Sequence, residues 1–127
     1  MSISANYAAT PKAASVLIST ANTNRDGTGT LATVFTAGAS GSRIDDITIQ
    51  AISTTTAGMV RLYLHNGTAA FLIAEVPVTA ITPSATVAAF VAVLRNQAIV
   101  IPTGWSLRAS THNAESFHLS VTRGGDF

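Results

Sequence analysis

His112, Glu115 and His118 form the densest group of metal-ligand side chains in this sequence. A zinc site closes a tetrahedron of nitrogen, sulfur or oxygen donors, whereas this spacing spans a loop and the start of a strand with no further donor nearby. Polar residues satisfied by backbone groups or water account for the three. Asn24, Asp26 and Thr28 set oxygens at alternate positions as a calcium loop does, but no closing acidic residue follows. Asp45 and Asp46 are a carboxylate pair. Neighbours on a strand point to opposite faces, so they cannot share a proton as an acid–base dyad does, and a bulge or strand start explains them. Gly27-Thr28-Gly29 lacks the helix pattern that follows a phosphate loop and reads as a turn. The chain has no cysteine, which removes thiolate nucleophiles, disulfides, zinc fingers and iron–sulfur clusters together. It also lacks HExxH, GxSxG and Walker A strings. This inventory predicts no enzyme, no metal site and no cofactor.

Three further residues are better explained by structure than by chemistry. His65 falls on the polar face of its strand, an ordinary place for an imidazole. Asn66-Gly67-Thr68 matches a glycosylation sequon, yet Asn-Gly is first a hairpin signal, because a type I′ turn needs positive φ at both central positions. Trp105 alternates in step with Leu107 and belongs to a core, which leaves few aromatic rings for a carbohydrate platform.

The elements that must position these residues are short strands. Gly, Pro, Asn and Asp clusters divide 127 residues at the spacing of an all-β sandwich or barrel. Period-two alternation predicts strands over 14–20, 31–36, 47–51, 60–65, 70–76, 87–94, 97–101, 105–110 and 117–122, with no helix. The strand at 60–65 is the clearest: Val60, Leu62 and Leu64 face a core, and Arg61, Tyr63 and His65 face water or a partner. The strand at 87–94 is apolar on both faces, so it is expected to be central or to lie at a subunit contact. Residues 1–12 lack a period and are expected to form an irregular N-terminal arm, residues 13–127 a single β-sandwich domain. The fold expected is an all-β antiparallel β-sandwich, a jelly roll of eight strands plus an arm matching best in length, with an immunoglobulin-like sandwich as competitor.

Composition restricts the partners. Only 10% of residues are charged and 52 of 127 are Ala, Thr or Ser. Seven Lys+Arg against six Asp+Glu give net charge +1 without a basic stripe, so phosphate neutralisation and nucleic-acid binding are not expected. The uncharged stretch 76–94 is broken by Pro77 and Pro83 and alternates like a strand, which argues against a membrane span. No signal peptide is evident, so the mature protein is expected to begin near residue 1. A folded monomer of this mass exposes roughly 6,300 Å². Thirteen charges serve that area thinly, and cover by copies of the same chain or by a larger assembly would explain the sparseness, the alternative being a monomer solubilised by its Thr and Ser hydroxyls.

Several strings resemble small virion proteins of tailed bacteriophages: Ser42 to Ile47 (SRIDDI), Thr56 to His65 (TAGMVRLYLH), Pro102 to Thr111 (PTGWSLRAST) and the closing Gly124-Gly125-Asp126-Phe127. The resemblance implies a capsid cement or decoration protein that bridges neighbouring capsomers and stabilises a phage head. Its partners would be the major capsid protein and itself, as a homo-oligomer. Three copies are implied because such proteins commonly sit at local threefold positions. The location implied is the virion, on the capsid surface, after assembly in the host cytoplasm. A tail- or collar-associated adaptor or fibre component, or a small receptor- or carbohydrate-binding jelly roll, are the alternatives. Candidate capsid contacts are Ile3, Tyr7 and Pro11 in the arm and Arg43, Arg61 and His112 in the body, and if the arm grips the capsid while the sandwich supplies folding stability, deleting residues 1–12 is expected to leave the melting temperature nearly unchanged and to reduce capsid occupancy.

Overall fold

The computed structural model describes residues 8–127. Among them there is no helix, and ten strands form: β1 (Thr10–Pro11), β2 (Ala14–Ile18), β3 (Ala32–Thr36), β4 (Ser42–Ala51), β5 (Gly58–His65), β6 (Ala70–Val78), β7 (Val91–Leu94), β8 (Ile99–Ile101), β9 (Ser106–Thr111) and β10 (Phe117–Asp126). They make two antiparallel sheets. In the first, β10 pairs with β4 on one side and with β2 and β1 on the other, while β4 pairs onward with β7 and β8. The second has the order β3-β9-β5-β6. The chain is an all-β sandwich.

Alternation builds the core between the sheets. Ile47, Ile49, Phe117, Leu119 and Val121 point inward from the first sheet, and Val60, Leu62, Leu107 and Ala109 from the second, all buried. Phe90 closes one region, its ring edge-on to Phe117 at 6.4 Å between centroids. Burial of this apolar surface is the main stabilising term.

Four local readings are corrected. The strand at 87–94 shortens to β7, because Ser84 and Val87 close a turn through paired backbone hydrogen bonds of 2.9 and 3.3 Å. β7 is an outer strand of its sheet, not a central one. The Asn66-Gly67 turn is a four-residue loop with only Gly67 at positive φ (95°), so it is not type I′. Asn66 Oδ1 instead accepts from the amides of Thr68 and Ala69 at 2.9 and 2.8 Å, an Asx turn. Finally, Arg123 to Asp126 continue β10. Gly124 permits this, since a Cβ there would lie 2.6 Å from the Arg43 carbonyl oxygen of β4.

The N-terminal stretch is paired where it is described. Thr10 and Pro11 lie opposite Asp126 and Gly125, and the Lys12 amide donates to the Gly124 carbonyl at 2.9 Å. Lys12 Nζ reaches Asp126 at 3.3 Å and sits 4.6 Å from the centre of the Phe35 ring.

Candidate functional site

The predicted contact residues fall into two groups on different sheets. Ile3 and Tyr7 lie outside the described residues. Pro11 and Arg43 meet on the first sheet, where they line a cleft of about 400 Å³ together with Asn96 and Arg123. Its charges are matched: Arg43 Nε donates to Asp45 at 2.9 Å and Arg123 to Asp46 at 3.2 Å. The amide of Asn96 also donates to Asp46 at 3.0 Å, which is the chief reason that this carboxyl is held below its ordinary range.

Arg61 and His112 meet on the second sheet, and alternation alone misplaces Arg61. Its side chain is 1% exposed, and Tyr63 beside it is equally buried. The loop of residues 19–31 folds over this face and is fastened to it. Arg61 donates from Nε to Glu75 at 3.0 Å and from one terminal nitrogen to the Asn22 carbonyl at 3.3 Å, while the other lies 3.2 Å from His112 Nδ1. Tyr63 donates to the Asn24 carbonyl at 2.9 Å, and Arg25 on the loop reaches Glu75 at 2.8 Å. Arg25, and then Arg61, hold the Glu75 carboxyl below its ordinary range. The fork of Arg61 thus pins a loop and leaves almost none of itself on the surface.

A different surface exposes apolar side chains. On the outside of the first sheet, register sets Leu17, His118, Gln50 and Val91 in one cross-strand row. Ser15, Ser120, Thr48 and Val93 form the next. Neither row holds a carboxylate, an ammonium or a guanidinium. Leu17, Val91 and Val93 are 52%, 49% and 43% exposed, and Val100 on β8 reaches 57%. Ser15 and Ser120 hydroxyls bond each other at 2.8 Å, which leaves few polar groups on this face reaching for water. The apolar outer side of 87–94 was the signal for it, since an apolar residue on both faces of an outer strand must be exposed on one.

One edge of each sheet is less open to pairing. β6 carries a bulge between Leu72 and Ala74 and has Pro77 within it. The outer row of β7 and β8 is interrupted at Asn96 and Ala98, both at positive φ. Such devices blunt strand addition at these two edges. Among the described residues no group of three His, Asp or Glu is placed to hold a metal ion, and no helix is long and apolar enough to cross a membrane. No family model, curated protein or solved structure matches the chain.

Proposed function

We propose that this chain is a non-enzymatic structural protein of a tailed-phage particle, a cement protein that sits on the head as a homo-oligomer, a trimer, and bridges capsomers. The observation that carries the reading is the pair of uncharged cross-strand rows on the outer face of the first sheet, with Leu17, Val91 and Val93 exposed in a chain with so few charges. Covering that face against a neighbour removes apolar surface from water without desolvating a formal charge. Individually weak contacts of this kind become firm when several subunits of one oligomer engage adjacent capsid sites. The strand order supports a jelly roll, since β2-β10-β4-β7 against β3-β9-β5-β6 is an eight-strand double sheet with Greek-key crossovers.

The test is titration of purified protein onto heads that lack it. Val93→Glu is expected to keep the wild-type melting temperature, because the side chain is exposed, and to reduce head occupancy at least tenfold. Sedimentation at micromolar concentration is expected to give a trimer. Wild-type occupancy by Val93→Glu would remove the face from the interface, and labelling of the tail or collar in intact particles would replace a head location with a tail one.

A further inference from the structure

A second cleft, of about 360 Å³, lies on the other sheet between the loop of residues 19–31, the β5–β6 turn and β9. Leu31 is the only large apolar side chain in its wall, which is otherwise set by Asp26, His65, Thr68 and Arg108 with backbone from Gly27 and Gly29. Arg108 is the anomaly. It is partly buried, and its one hydrogen bond among the described residues runs from Nε to Ser106 Oγ at 3.1 Å. No carboxylate lies within ion-pair distance of it, although five other cations in the chain have such a partner. Arg95, the other guanidinium without an ion pair among the described residues, is exposed just after β7. A partly buried guanidinium with two terminal nitrogens free of protein acceptors matches the two oxygens of an incoming carboxylate.

The remaining groups define what accompanies that carboxylate. Asp26 Oδ1 accepts from the amide and hydroxyl of Thr28 at 3.1 and 2.5 Å, and these bonds keep the carboxyl ionised with Oδ2 unused. His65 Nδ1 accepts the Gly67 amide at 3.0 Å, so in the neutral ring Nε2 carries the proton and is a donor. An anionic acceptor in the same cleft as Arg108 repels a bare anion and favours a ligand that brings hydroxyl donors along with its charge. The volume is at the small end for a ligand site, enough for one sugar ring and not for an extended chain.

We infer that this cleft binds a single carboxylated sugar residue, its carboxylate on Arg108 and its hydroxyls on Asp26, Thr68 and His65. The inference is independent of the particle reading above. The experiment is an amide-resonance titration of isotope-labelled protein with sodium glucuronate and with N-acetylneuraminate, and with glucose and sodium acetate as separate arms. At least one acidic sugar is expected to give saturable shifts confined to the amides of Gly27, Gly29, Thr68 and Ala69, with a dissociation constant of about a millimolar. Glucose and acetate are each expected to bind at least tenfold more weakly. Arg108→Gln should weaken the acidic sugar at least tenfold and Asp26→Asn at least fivefold, with resonances away from the cleft unchanged as proof of folding. Acetate as tight as the sugars, glucose as tight, no saturable shift with either acid, or undiminished affinity in Arg108→Gln would each overturn the assignment.

Discussion

Replacing Arg61 with Met separates a pinned loop from a solvent-facing side chain. Were Arg61 on an open face, as strand alternation implies, the substitution would change stability by no more than about 0.5 kcal/mol. In the structure it removes the donor to the Asn22 carbonyl, and Asn22 is itself 5% exposed. A buried acceptor left without a donor costs about 1–3 kcal/mol. The Glu75 contact adds little, because that side chain is 30% exposed and keeps Arg25. His112 is half-buried and can take water in place of the guanidinium. The expected loss is therefore about 2 kcal/mol, which in a domain of this length lowers the melting temperature by about 6–10 °C. Arg61→Lys should lose nearly as much, since one ammonium cannot span the three partners. Urea and thermal unfolding measure both variants, and hydrogen exchange at residues 21–28 should accelerate in step. A loss under about 0.5 kcal/mol for Arg61→Met would refute the pinning role and return Arg61 to the surface.

Gly27 has φ of +88°, and a Cβ there would collide with the Ala70 carbonyl oxygen, so Gly27→Ala is expected to cost about 1–3 kcal/mol in thermal unfolding, whereas an unchanged melting temperature would mean that the loop does not seat on β6. Asp126 is held below the ordinary carboxyl range chiefly by the Ser42 hydroxyl at 2.6 Å and then by Lys12. Asp26, Asp46 and Glu75 shift the same way. With folded values below unfolded ones, the stabilisation is complete above the ordinary range, about pH 4, and is lost as pH falls through the folded values; melting temperature against pH should be flat from neutral to about pH 5 and then fall, and Asp126→Asn should shallow that fall. Deleting residues 1–12 removes the backbone bond from Lys12 to Gly124 and the cation over Phe35, for an expected loss of about 1–2 kcal/mol, and an unchanged melting curve would restore the view of this stretch as a free arm.

The core was legible because it is local. Period-two alternation alone places Ile47 and Ile49, Val60 and Leu62, and Phe117, Leu119 and Val121 inward, and the structure buries all of them. What escaped depends on residues distant in sequence. Gly124 and Gly125 resemble the end of a tail when read alone, yet they are small because β4 and β1 approach β10 there. Val87 to Phe90 keep a strand's alternation, but Ser84 offers a competing turn through its hydroxyl, which accepts the Val87 amide at 3.1 Å. The outer face of β5 was misread for the same reason. Nothing within 60–65 states that a loop some forty residues earlier in the chain will cover Arg61 and Tyr63.

The same distinction separates the two surfaces that remain open. Arg61 and Tyr63 alternate with apolar residues just as His118 and Ser120 do, so periodicity cannot tell a covered polar face from an exposed one. Partner groups can. Arg61 and Tyr63 each have a carbonyl acceptor supplied by the loop, and Glu75 and His112 take the rest of the Arg61 fork, which is what burial of such groups requires. On the outside of the first sheet Ser15 and Ser120 satisfy one another, and the exposed Leu17, Val91 and Val93 ask for no partner of any particular chemistry. Two rows with no formal charge and few polar groups left to pair discriminate weakly between partners one contact at a time. Their selectivity has to come from shape and from repetition, because the blunted β7–β8 edge beside them withholds the directional hydrogen bonds that strand addition would supply. Assembly in several copies against a repeating lattice is the arrangement in which such a face is both sufficient and specific.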